Sequence, residues 1–134
     1  SEEELADFRD KYTPVEFTDD GMHNVERWQF FWPWLGPNQP IENYAAAYNE
    51  TLRWGPAYSW GHRAAFNYAM AKRLKQVTVP VLVLNPEDDL YEQSKRATEV
   101  IQKGRVHDMP GFGHGMMDTR TEDVAALIRE FVAD

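Results

Sequence analysis

Two rhythms of apolar residues divide the chain. Through residues 1–76 apolar side chains recur every three or four positions: Leu5, Phe8 and Tyr12; Val25, Trp28 and Trp32; Ile41, Tyr44, Ala45, Tyr48 and Leu52; then Ala64, Tyr68, Ala71 and Leu74. That spacing lines one face of a helix, so this half predicts a run of helices and no strand. Pro33, Gly36 and Pro37 are expected to break the second helix, and Pro40 suits the first turn of the third. The opening "SEEE" has capping-box spacing, with Ser1 as cap and Glu4 reaching back. A helix that starts so abruptly, with no initiator methionine, raises the expectation that the chain was cut from something longer.

From Val77 the rhythm changes. "VTVPVLVLN" is a continuous β-branched and leucine run, as expected of a strand buried on both faces of a parallel sheet. A helix is expected over 91–103, closed by Gly104 as its C-cap glycine, and "RVHDMP" is short enough for a second strand. Thr119 and Glu122 stand at capping-box spacing before a last helix whose stripe is Val124, Leu127, Ile128 and Phe131. The fold class is therefore α/β: a helical segment over 1–76, then a β-α-β-α unit over 77–134, its crossover right-handed. The strand over 79–84 reads as central, yet the chain offers it one partner strand. Its bare edge predicts either a homo-oligomer or a complementary segment carrying the rest of the sheet.

Composition narrows the function without deciding it. The 134 residues suffice for one domain, and a net charge of −8 argues against nucleic acid or an anionic membrane as partner. No cysteine is present, which excludes disulfides and thiolate metal sites and fits a reducing cytoplasm. No apolar run approaches the ~20 residues of a membrane span. The expected partner is a small molecule.

The chemistry gathers at two strand ends. Ligands of parallel sheets collect at the carboxyl edge. There the first strand runs into Asn85-Pro86-Glu87-Asp88-Asp89, and the second into Gly111-Phe112-Gly113-His114-Gly115. An acid on one loop could fix the tautomer of the imidazole on the other and stabilise its charged form. The glycines would let the loop turn and leave room for a substrate. Taken singly, the aspartates read equally well as turn residues and the histidine as a loop residue; the pairing on adjacent strand ends favours chemistry. His107 belongs inside the second strand as a structural residue. His107, Asp108, His114 and Asp118 match no metal-ligand spacing.

"VPVLVLNPEDDLYEQS" followed by "MPGFGHGMMD" and an amphipathic helix resembles the C-terminal end of the α/β-hydrolase family, over residues 77–134. The resemblance implies a triad acid at Asp89 and a triad histidine at His114, with no cofactor and no metal. The family's usual glycine three places before the acid is Pro86 here, which leaves Asp88 as a rival. More loosely, residues 1–76 resemble the family's helical cap, and "DGMHNVERW" its cap segments. No G-x-S-x-G nucleophile turn is present. The nearest, around Ser59, follows "LRWGP" rather than a buried strand and lies only 30 residues before Asp89. The nucleophile is therefore expected upstream, and the chain alone is expected to be inactive.

The substrate implied is small and largely apolar. Phe30, Phe31, Trp32, Trp34, Trp54 and Trp60 are candidates to wall the pocket from the helical side, and His23 and Arg27 to face it and orient a polar end of the substrate, although an aromatic cluster also serves simply to pack helices. The competing function is a non-catalytic binding module that uses the tryptophan-rich half as a stacking platform. That reading leaves the Asp89 and His114 loops without a role.

Overall fold

The computed structural model describes residues 2–133, the side chains at positions 2, 3, 8 and 11 excepted. Five helices come first: α1 (Glu2–Lys11), α2 (Met22–Leu35), α3 (Ile41–Trp54), α4 (Tyr58–Asn67) and α5 (Met70–Leu74). The cap expected at Ser1 and the Phe8 side chain of the first stripe lie outside the described residues.

The periodic tyrosines explain how α2 and α3 pack. Tyr44 and Tyr48 are one helical turn apart, 0% and 6% exposed, and meet the Trp28 ring edge-on at 4.4 and 5.1 Å. Their hydroxyls donate back to α2, Tyr44 to Trp28 O at 2.7 Å and Tyr48 to Asn24 O. Burying an aromatic body while its polar tip finds a carbonyl is what makes tyrosine suitable for such a seam.

Two expected helix boundaries move. α2 runs through Pro33 to Leu35. A proline removes one N–H and crowds the carbonyl four residues back; this close to the helix end it disturbs only the last turn, and Gly36 N–H still reaches Trp32 O at 2.9 Å. The stripe from Ala64 to Leu74 is two helices, because Tyr68 is extended (φ −82°, ψ 129°). Asn67 Nδ2 donates to Arg63 O at 2.7 Å, a local side-chain bond that competes with helix continuation.

The second half holds β1 (Val81–Pro86), α6 (Tyr91–Lys95), β2 (Gly104–Met109), α7 (Met116–Thr119) and α8 (Thr121–Ala133). β1 and β2 pair in parallel, from Val81 opposite Gly104 to Pro86 opposite Met109. The strand begins after Pro80, which has no N–H to offer, and Val79 before it is 63% exposed. The helix expected over 91–103 ends early, passing into a 3₁₀ turn at Arg96–Glu99. Gly104 is consequently no helix cap. It is the first residue of β2, at φ +126°, where a Cβ would fall 1.9 Å from Val81 O. The capping box at Thr119 does not form either: its hydroxyl donates back to Gly115 O at 2.9 Å and closes α7.

α8 turns Val124 inward, at 3% exposure, but leaves Ile128 at 42% and Val132 at 74%. The exposed surface totals 9232 Å² for 15.6 kDa, against about 7,250 Å² for a self-contained monomer of that mass. Much apolar surface is uncovered. Among the described residues no helix is long and apolar enough to cross a membrane.

The close approach at Gly104 sets a prediction. Gly104→Ala should lower the unfolding free energy by about 2 kcal/mol or more, through strain and clash. Gly61→Ala, inside α4 with nothing within 4 Å of its Cβ position, should instead stabilise by up to about 1 kcal/mol. Urea denaturation separates the two, and equal midpoints would contradict the strand geometry.

Candidate active site

The site begins with Asn85 at the end of β1. It is 1% exposed, and its Nδ2 donates across the sheet to Asp108 Oδ1 at 2.7 Å and forward to Tyr91 O at 3.1 Å. This buried amide holds the strand end, β2 and the start of α6 together. Beyond it, three acids in sequence take three different tasks. Glu87 ties the two strand-end loops together: its N–H donates to Phe112 O at 2.8 Å, and its carboxylate accepts from Gly111 N–H at 2.8 Å. Asp88 turns the chain, its Oδ1 accepting Leu90 N–H at 2.8 Å in the manner of an Asx turn. Asp89 is left to face the other loop.

There it meets His114, with Asp89 Oδ1 and His114 Nε2 2.9 Å apart. The carboxylate can only accept, so Nε2–H donates. The Asp89 hydrogen bond and charge raise the His114 pKa above the ordinary 6.5 against the opposing effect of burial. The same bond holds the Asp89 carboxyl below 3.8. The side chains are 31% and 22% exposed, so the pair is sheltered but reachable. Asp88 adds to the field at His114 without bonding to it. The ring is engaged through Nε2, which leaves Nδ1 as the second nitrogen.

The helical half also reaches this place. Tyr12 stacks on His62 of α4 with ring centroids 4.0 Å apart, and both feel the Asp89 charge. Burial, with that charge second, pushes the Tyr12 hydroxyl up to about 12. The glycines around His114 differ in their surroundings. Gly111, at φ +78°, makes the turn. At Gly113 a Cβ would lie 3.6 Å from Pro37 O, and at Gly115 one would lie 2.6 Å from Gln39 Oε1. The Gln39 side chain, from the loop between α2 and α3, takes the space at Gly115, whereas at Gly113 a Cβ would make only ordinary contact.

The other candidates scatter. Trp60 and Trp54, 71% and 66% exposed, flank a groove of about 700 Å³ that also takes in Tyr58 and His62. His23 lies on a second groove, of about 680 Å³, with Arg27, Phe30 and Phe31. Its Nδ1 accepts Thr18 N–H at 3.1 Å, part of the loop that starts α2. Trp32 packs edge-on against Tyr44 at 5.0 Å, and Trp34 is 55% exposed; neither lines these grooves. Ser59 is 0% exposed within the first turn of α4, so it does not stand on a strand-to-helix turn. His107 sits in β2 opposite Leu84. Asp88, Asp89 and His114 bring one ligand atom each within 4.8 Å of one another. Each carboxylate has one oxygen engaged, Asp88 by Leu90 N–H and Asp89 by His114.

The parts that Glu87, Asn85, Tyr12 and His62 play at the site escaped the sequence reading. Three adjacent acids give no sign of which will bond backbone, and nothing local in the sequence joins Tyr12 or His62 to Asp89.

No family model matches the chain. It is 42% identical over 64 residues to the bifunctional esterase/perhydrolase of Acinetobacter calcoaceticus, covering 42% of this chain and 23% of that protein. It is 33% identical over 63 residues to the non-heme chloroperoxidase of Burkholderia pyrrocinia, covering 44% of this chain and 23% of that one. The matched stretch is thus under a quarter of either relative's length. Both relatives are named as enzymes.

The paired shifts fix a pH window. Because His114 is raised, its contribution to stability is complete below 6.5 and is lost as pH rises through the raised value. Because Asp89 is lowered, its contribution is complete above 3.8 and is lost as pH falls through the lowered value. Asp89→Asn should therefore destabilise most between those limits, and NMR titration should show the His114 pKa falling. Asp88→Asn should lower it only slightly. An unchanged His114 titration in Asp89→Asn would contradict the assignment.

Proposed function

We propose that this chain supplies the acid and the histidine of a nucleophile–Asp–His triad, as the C-terminal part of an α/β-hydrolase. Residues 77–134 are its share of the core, and residues 1–76 are its cap. The observation that carries the reading is the 2.9 Å contact between Asp89 and His114 on the loops that follow two parallel, paired strands. The similarity to an esterase/perhydrolase supports the same class.

In this reading a nucleophile outside the 134 residues attacks a small, largely apolar ester or related bond. His114 accepts the nucleophile's proton and returns it to the leaving group, while Asp89 stabilises the imidazolium. Triad order places Nδ1 on the acid and Nε2 on the nucleophile. The His114 ring therefore turns when the nucleophile segment is seated, exchanging the nitrogen that Asp89 holds.

The uncovered surface fits this proposal. The segment that brings the nucleophile would also pair the free strand edge and cover the apolar stripe of α8; a second copy of the chain is the other expected cover. Ser59, buried in α4, has no part in the chemistry.

The test is a graft. Residues 77–134 of this chain replace the corresponding stretch of the Acinetobacter esterase/perhydrolase, and p-nitrophenyl acetate hydrolysis is followed. The graft should turn over, and His114→Ala within it should lower kcat/KM by about 10²-fold or more. The 134-residue chain by itself should show no turnover. Activity of that chain abolished by Ser59→Ala would overturn the proposal, as would a folded, active graft indifferent to His114→Ala.

A further inference from the structure

The groove between the loop after α1, helix α2 and the start of α4 contains a charge without a counter-charge. Arg27 is 8% exposed, and its Nη2 has no hydrogen-bond partner. No carboxylate among the described residues forms an ion pair with it. The guanidinium instead lies over the Tyr58 ring at 4.2 Å and near the Phe31 ring at 5.8 Å. Aromatic faces attract a cation but do not accept its directed N–H bonds. A buried guanidinium with an idle donor is an expensive arrangement for a fold to keep unless something completes it.

The groove that Arg27 lines has the shape of an answer. Its volume is about 680 Å³, and Tyr12, Phe30, Phe31 and Tyr58 give it an aromatic wall. Two acids, Glu16 and Glu26, also line it, but both are exposed, where water screens them. The bound group must therefore be anionic at one end, to meet Arg27, and flat and apolar over the rest.

We infer that this groove is a binding site for a small carboxylate with an apolar body, recognised by the Arg27 guanidinium and held against Tyr12, Phe30, Phe31 and Tyr58. Guanidinium and carboxylate match in charge and in fork geometry, which favours a carboxylate over a bulkier anion on a narrow aromatic wall. The inference rests on Arg27 and its surroundings and not on the triad. Its test is binding rather than turnover, so the two proposals fail separately.

The experiment titrates the 134-residue chain with benzoate, benzamide and inorganic phosphate by calorimetry. Benzoate should bind saturably, and benzamide, which keeps the ring and loses the charge, should bind about tenfold more weakly or worse. Phosphate should also be weaker, because it gains nothing from the aromatic wall. Arg27→Met should lose benzoate binding by a similar factor. It should also unfold at a urea concentration no lower than the parent's, since it removes an uncompensated buried cation. Arg27→Lys, which keeps the charge and loses the fork, should fall between. Equal affinities for benzoate and benzamide, phosphate binding as tight as benzoate, or benzoate binding unchanged in a folded Arg27→Met or Arg27→Lys chain would each overturn the inference. So would the absence of saturable benzoate binding.

Discussion

The site depends on a double tie at one residue. Glu87 gives its N–H to Phe112 and takes the N–H of Gly111, so the loop after β1 and the loop after β2 are fastened at 2.8 Å in both directions. Parallel pairing alone brings strand ends near each other without fixing how their loops lean. With the tie in place, and with Asn85 bonded to Asp108 just beneath it, Asp89 and His114 have little freedom to miss one another. The acid–imidazole contact is thus the consequence of backbone constraints laid down two to four residues earlier in the chain.

A second constraint comes from the helical half. The Gln39 side chain, from the loop between α2 and α3, lies against Gly115, and Tyr12 and His62 stand within the field of Asp89. The histidine loop is therefore held from below by the sheet and from the side by the helices. Apolar side chains remain uncovered in both halves, Trp54 and Trp60 of the helical half and Ile128 and Val132 of α8 among them.

The broad architecture was legible in the sequence because it rests on periodicity. Tyr44 and Tyr48 announced a buried helix face, and "VLVL" a strand, since each signal sums over many side chains; the expected burial of that strand on both faces is not seen, residues 81–84 being only half-buried. The Asp89–His114 approach was legible too, because strand ends in a parallel sheet must lie side by side. What failed were single-residue readings whose outcome is set by distant partners. Gly104 has the look of a helix cap, but the early end of α6 makes it the tight first residue of β2. Gly115 looks like open space until Gln39 arrives from 76 positions away to fill it. Pro33 looks like a breaker, yet so near a helix end its missing N–H disturbs little. Arg27 was legible as a pocket candidate and Tyr12 as part of an apolar stripe, but the burial of each, a property of the assembled helices, was not.

The central claim is that Asp89, and not its neighbour Asp88, orients the imidazole of His114. The ring proton shared with the carboxylate reports this directly, as a downfield resonance in the proton NMR spectrum between pH 3.8 and 6.5, where both groups are charged. That resonance should be present in the parent chain and in Asp88→Asn, and absent from Asp89→Asn. A resonance that survives in Asp89→Asn and vanishes in Asp88→Asn would contradict the account.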